Sequence, residues 1–181
     1  MFHTRLDKYN NSWYHPGRNK LVIALWYIVN AVFFCSFITL PYSIKNAILR
    51  LFGAKVGKGV CIKPRVNIKY PWRLSIGDYT WVGENAWIDN LDQVNLGKNV
   101  CISQGALLLC GNHNYKKETF DLMIAPINIE DGAWIGAKAV VCPGVHVASH
   151  AVLTVGSIAT KNLEPYSIHS GNPAVKIKNR I

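Results

Sequence analysis

Hydrophobic positions follow three regimes along the chain. Residues 21–40, LVIALWYIVNAVFFCSFITL, carry no charge and only Asn30, Ser36 and Thr39 as polar interruptions, and Pro41 closes the run. A helix of that length, at ~1.5 Å per residue, just crosses a ~30 Å hydrocarbon layer. It equally suits a helix buried against its own domain or a neighbouring subunit, and both readings stay open. Arg5, Lys8, Arg18 and Lys20 before the run balance Lys45, Arg50, Lys55 and Lys58 after it, so the flanks give no orientation. A cleaved signal peptide is disfavoured, because the run begins late, exceeds the usual ~7–15 residues and lacks a small-residue exit. Residues 43–52, SIKNAILRLF, set Ile44, Ile48, Leu49, Leu51 and Phe52 roughly at helical spacing opposite Lys45 and Arg50. This predicts a short amphipathic helix ended by Gly53.

From Val56 the period becomes six. Aliphatic residues recur as Val56, Ile62, Ile68; Ile76, Val82, Ile88; Leu96, Ile102, Leu108; then Ile129, Ile135, Val141, Val147, Leu153. Neither alternating strands nor amphipathic helices produce that spacing. Gly often follows the aliphatic residue (Gly57, Gly77, Gly83, Gly97, Gly136), and small or β-branched residues recur three positions further on (Val60, Thr80, Ala86, Val100, Ala106, Ala133, Ala139, Ala151). Short strands joined by tight corners explain both features, with the aliphatic side chain inward, Gly or Asn permitting the corner dihedral and the small residue fitting where strands meet. The step lengthens from six to eight after Ile68 and after Ile88, and residues between Leu108 and Ile129 leave the ladder altogether.

Composition narrows the class. The 181 residues are 50% hydrophobic and 17% charged, which predicts a folded chain with room for one domain and a decoration, not a separate nucleotide-binding domain. Twenty Lys and Arg against ten Asp and Glu give a net charge of +10, an argument about anionic partners. The cations are scattered and no zinc-finger, helix-turn-helix or RNA-recognition signature is present, so nucleic acid is not an expected partner. Cys35, Cys61, Cys101, Cys110 and Cys142 are odd in number and never spaced C-x-x-C, which fits a reducing cytoplasm.

The hexads resemble the hexapeptide-repeat acyltransferases over roughly residues 53–181. That resemblance implies a mainly β fold, a left-handed parallel β-helix of triangular section with about five coils, assembled as a homotrimer with active sites between subunits. Its expected organisation is an N-terminal arm of apolar and amphipathic helices over 1–52, the β-helix over 53–163 with a projecting loop at 110–126, and a C-terminal tail over 164–181. FGAKVG at 52–57, YPWRLSIG at 70–77, GNHNY and the GNPA tail further resemble the exopolysaccharide-biosynthesis acetyltransferases of the colanic-acid type. The activity so implied is transfer of acetyl from acetyl-CoA to a saccharide hydroxyl, with no metal. A lipid-linked acceptor at the inner face of the cytoplasmic membrane would account for the apolar run and the basic charge together.

Candidate site residues follow. His113 in G-N-H-N-Y matches the family's catalytic histidine, and an imidazole of ordinary pKa ~6.5 suits removal of a hydroxyl proton near neutrality. Asp89 and Asn90, in W-I-D-N, lie outward of Ile88 and are candidates for holding the acceptor. For the cofactor, Trp134, Gly136 and Ala137 of G-A-W-I-G-A match one contact stretch, and Thr160 and Lys161 match a later Thr-Lys pair. Lys176, Lys178 and Arg180 in the tail supply charge for phosphates, with Val175 standing where many relatives carry a basic residue. Three alternatives remain: an N-acetyltransferase acting on an amino sugar, a γ-carbonic-anhydrase-like metal hydratase using His113, His146 and His150, and a non-catalytic trimeric scaffold.

Overall fold

The structure is a computed structural model that describes residues 3–181; residues 1 and 2, at the start of the expected 1–52 arm, lie outside the described residues. Five complete coils form a parallel β-helix with three faces. The first coil runs through Lys55–Val56, Cys61–Ile62 and Asn67–Ile68, and the second through Leu74–Ile76, Trp81–Val82 and Trp87–Asp89. The third runs through Val94–Leu96, Cys101–Ile102 and Leu107–Leu109, and the fourth through Ile127–Ile129, Trp134–Ile135 and Val140–Val141. His146–Val147, Val152–Leu153 and Ile158–Ala159 make the fifth. Each strand pairs in parallel with its counterpart one coil away, so the first, second and third strands of the coils stack into three separate sheets. A sixth coil begins where Leu163 bridges Val147 and Ser167–Gly171 joins the second face. The chain then turns back, and Ala174–Asn179 pairs antiparallel to Ser167–Gly171, ending that sheet.

The six-residue period is the core. From Ile62 to Leu153 the hexad aliphatic side chains are at most 3% exposed, and the small residues that follow them are as deeply buried. Fully burying a Val, Leu or Ile side chain contributes ~1.5–3 kcal/mol, so this stack dominates stability. The glycines behave differently from expectation. None of Gly57, Gly77, Gly83, Gly97 or Gly136 has a positive φ; the left-handed position lies two residues later, at Gly59, Asn85 and Asn99 and also at Arg65, Tyr79, Lys138 and His150. Gly after the aliphatic residue is required instead by the next coil, since a Cβ on Gly136 would stand 2.6 Å from the Val155 backbone nitrogen.

The apolar run forms no single spanning helix. It divides into α1 (Lys20–Val29), a wider turn at Asn30–Phe34 and an extended stretch to Pro41, followed by α2 (Tyr42–Leu51). No helix among the described residues is long and apolar enough to cross a membrane. Both helices close the first-coil end of the prism. Backbone N–H groups of the first coil donate to the second, for example Gly57 to Ile76 and Lys63 to Val82, which leaves first-coil carbonyls without a strand partner. Trp26 Nε1 donates to the Ile68 carbonyl at 2.8 Å, Lys45 Nζ to Ile62 and Lys63 at 3.3 and 3.1 Å, and Asn46 Nδ2 to Val60 at 2.9 Å. Arg50 supplies the carbonyls of Val56 and Gly57. Four residue types with N–H donors thus satisfy an edge that would otherwise be open to pairing.

Candidate active site

All the insertions fall at one corner, where the third face turns back to the first. Residues 69–73 leave it in the first coil, 90–93 in the second and 110–126 in the third. The last forms a hairpin, with Gly111–His113 antiparallel to Leu122–Ile124. His113 ends the outgoing strand. Its ring stacks on Phe120 at 4.4 Å between centroids with planes 3° apart, and the Tyr9 ring lies 5.7 Å from it between centroids, tilted by 59°. His113 Nδ1 lies 2.9 Å from the Phe120 carbonyl oxygen. A carbonyl only accepts, so Nδ1 carries the proton and Nε2 keeps the lone pair of a neutral imidazole. The loop fixes the tautomer that a general base needs.

An N-terminal strap, invisible to the sequence reading, runs along this corner and ties its insertions together. Arg5 N–H donates to the Glu118 carbonyl at 2.8 Å and Lys8 Nζ to the Glu118 carboxylate at 2.8 Å. Tyr14 donates its hydroxyl to the Leu91 carbonyl at 2.9 Å, and burial pushes that phenol up to about 12, keeping it a donor. Trp72 Nε1 donates to the Pro16 carbonyl at 2.6 Å, while Arg73 reaches the carbonyls of Leu91 and His15. Only Tyr9 of this strap touches His113 through an aromatic contact. No local pattern marks residue 9 for that role.

The remaining candidates divide. Asn90 is fully buried and spends both polar atoms on Tyr70, accepting from its N–H at 2.9 Å and donating to its carbonyl at 2.6 Å. It clamps two insertions together. Asp89 is 8% exposed, with a carboxylate oxygen 3.0 Å from Lys69 Nζ, and so is an internal ion pair beside the loop's root. Thr160 and Lys161 are exposed at the same corner two coils above the loop. Trp134, Gly136 and Ala137 lie elsewhere, on the second face and the corner that follows it. There, with Ser103, Gln104, Val152, Leu153, Thr154 and Val155, they line a hollow of about 360 Å³.

A second hollow of about 420 Å³ shares Ser103 and Gln104 and continues past Trp81 to Lys63, so the two make a trench along the second face. Trp81 and Trp134 stand 56% and 47% exposed along it, and Trp134 Nε1 donates to Ser103 Oγ at 2.8 Å. His113 lines neither hollow. The tail cations are partly engaged: Lys176 pairs with Glu164 at 2.7 Å, and Arg180 donates to the carbonyls of Gly132 and His150 at 3.1 and 3.0 Å. Lys178 has no ion-pair partner among the described residues. The three histidines of the metal alternative are dispersed, with His146 on Glu130 at 2.9 Å, His150 stacked on Tyr166 at 4.7 Å and His113 on Phe120. Among the described residues no three His, Cys, Asp or Glu side chains gather as metal ligands.

The stacked hexads and the histidine-bearing corner loop define a class, and comparison with known proteins agrees with it: the chain belongs to the hexapeptide-repeat acetyltransferases and is an acyltransferase with their left-handed parallel β-helix. It is 36% identical over 165 residues, 91% of each chain, to an Escherichia coli protein bearing the name colanic acid biosynthesis acetyltransferase WcaF. Among solved structures, a hexapeptide-repeat acetyltransferase from Vibrio cholerae complexed with acetyl coenzyme A superposes with a TM-score of 0.73 at 23% identity, covering 78% of this chain and 79% of that one. A galactoside acetyltransferase in complex with coenzyme A superposes with a TM-score of 0.77 at 22% identity, covering 90% and 84%. No family model matches the chain.

Proposed function

We propose that the protein is an acetyl-CoA-dependent O-acetyltransferase that modifies a saccharide hydroxyl during exopolysaccharide or cell-surface glycan synthesis, with His113 as general base. The observation that carries this reading is the hydrogen bond from His113 Nδ1 to the Phe120 carbonyl, which leaves Nε2 free to accept a proton. In the reaction the hydroxyl gives its proton to Nε2 as its oxygen attacks the thioester carbonyl. The tetrahedral adduct then collapses, the carbon–sulfur bond breaks, and the imidazolium returns the proton to the departing thiolate. The colanic-acid name of the E. coli relative supports the glycan assignment, and the bound acetyl-CoA and coenzyme A of the two superposed structures support the donor.

The trench on the second face suits an extended pantetheine arm, with Lys178 the tail cation left for its phosphates and Thr160 and Lys161, at the histidine corner, reaching them from a neighbouring subunit. Trench and histidine lie at different corners of one prism, so a single chain does not bring donor and base together. A homotrimer, in which the histidine corner of one subunit meets the trench of the next, resolves this. The outward rows Trp81–Cys101–Trp134 and Trp87–Leu107–Val140, with the tryptophans exposed and the others half-buried, are the surfaces that such packing would cover. We place this trimer in the cytoplasm at the inner face of the membrane, where a lipid-linked acceptor is presented.

The test is release of free coenzyme A from acetyl-CoA with a panel of sugars, nucleotide sugars, amino sugars and lipid-linked saccharides, with products read by mass. The expected result is an added acetyl mass, labile to mild base, on a hydroxylated acceptor. A base-stable product formed only with amino sugars would replace the O-transfer reading by N-transfer, and no turnover with any acceptor would favour the scaffold.

A further inference from the structure

We propose that the outer side of the helical cap is a docking surface for an anionic lipid bilayer. Helix α1 is apolar on two sides. Trp26, Asn30 and Phe34 face the prism and are at most 5% exposed, while Leu21, Leu25, Ile28 and Val32 form an outward stripe at i, i+4, i+7 and i+11, exposed by 82%, 54%, 63% and 43%. A surface helix of a soluble domain ordinarily turns polar residues outward, and one that is apolar all round is covered on both sides. The stripe does not end with the helix. Phe37 and Ile38 in the connection are 76% and 50% exposed, and Ile44 and Leu51 of α2 are 45% and 83% exposed. The prism covers one side of this cap; its other side has no partner among the described residues.

Charge identifies the occupant. From Arg18 to Gly77 the sequence contains ten Lys and Arg and no Asp or Glu, whereas the rest of the chain carries ten against ten. Those sixty residues are the cap, the first coil and the entry to the second, so the whole positive excess sits at the end of the prism that presents the apolar stripe. Cations stand directly beside the apolar connection: the Arg65 guanidinium is 4.3 Å from the Phe37 ring centroid and Lys63 Nζ is 5.5 Å from that of Tyr42. Apolar side chains rimmed by basic ones are what an interfacial helix needs to bind a membrane carrying acidic headgroups. A second copy of the chain would meet the apolar stripe equally well, but it would bring the same uncompensated positive charge to the contact. Parallel prisms in a trimer would also turn all three caps to the same side, so one bilayer contacts three stripes and each weak site gains from the others. This inference deepens the membrane placement proposed above and rests on it only for the choice of the cytoplasmic leaflet; the surface itself is argued from exposure and charge.

The experiment is flotation of the full-length protein with vesicles of phosphatidylcholine containing about a quarter phosphatidylglycerol, and with phosphatidylcholine alone. The proposal expects at least ten-fold more protein on the anionic vesicles, a fall of several-fold between 0.1 and 0.5 M salt, and loss of binding by at least ten-fold in the double variant Leu25→Glu, Ile28→Glu. Because both side chains already face solvent, the variant should keep the wild-type circular dichroism and its coenzyme A release with a soluble acceptor. Equal flotation of variant and wild type, or no preference for the anionic vesicles, overturns the proposal. So does sedimentation showing that the wild type forms a larger assembly that the double variant abolishes without any vesicle binding. Flotation is read without turnover, so an inactive protein that still floats would sink the catalytic reading alone.

Discussion

Asn90 shows how a residue that reads as functional can belong to the backbone. An outward polar residue next to an inward isoleucine is equally suited to holding a substrate and to pairing a stretched insertion, and only the fold shows that its polar atoms meet Tyr70, twenty residues earlier. Replacing Asn90 by Ala strands the Tyr70 N–H and carbonyl in a buried setting, at a cost of ~1–3 kcal/mol each. Urea denaturation should show that loss, while the KM for the acceptor stays within about two-fold of wild type. His169 offers a pH test. It is 6% exposed, with Nε2 2.9 Å from Ser167 Oγ, and burial holds its pKa below the ordinary value against the opposing pull of Glu164. The folded chain therefore binds this proton less readily than the unfolded chain, and stability falls as pH drops through the ordinary histidine value of about 6.5. Stability measured at pH 7.5 and 5.5 should decline toward acid, and His169→Gln should flatten part of that decline. The place of His113 in an insertion was legible, because G-N-H-N-Y falls where the regular ladder breaks. Its tautomer was not, since that depends on a carbonyl seven residues away whose direction only the folded hairpin fixes.

At the level of elements, the cap explains why the run 21–40 admitted two readings. Hydropathy registers that both sides of α1 are apolar, but not that Trp26 donates to the Ile68 carbonyl, nor that Asn30, just past the helix, donates to the Asn67 side chain and accepts from the Ile68 N–H. Lys45, read with Arg50 as the polar side of α2, proves to lie on its buried side beside Asn46, the two 0% and 6% exposed. An amphipathic pattern cannot announce that inversion, because the surface being met is a polar strand edge. Lys45→Met keeps most of the side-chain volume and removes the donor to Ile62 and Lys63, so it should destabilise the protein by ~1–3 kcal/mol by thermal or urea unfolding. If the change proves neutral, the cap is held by Trp26, Phe34 and Leu49 packing alone. The strands, by contrast, were readable almost to the residue, since one side chain in six must point inward on every face and any slip would expose it.

The whole molecule joins a rigid prism to one elaborated corner. The prism follows from a local rule repeated, so its coils could be counted in the sequence, with the structure adding the start of a sixth. The strap from Arg5 to Pro16 could not be read, because its contacts with Glu118, Leu91, Arg73 and His113 span about sixty to over a hundred residues and obey no period. Two assembly-scale expectations follow from separate corners bearing base and trench. Sedimentation should give a particle of roughly three times 20.2 kDa, and a monomeric form should fold without turning over. The central claim, that His113 Nε2 takes the acceptor's proton, is tested most directly by the steady-state rate of coenzyme A release in His113→Ala, with assembly and circular dichroism matched to wild type. The account predicts a fall in kcat of ~10²- to 10⁴-fold with little change in the KM for acetyl-CoA; a rate within about three-fold of wild type would contradict it.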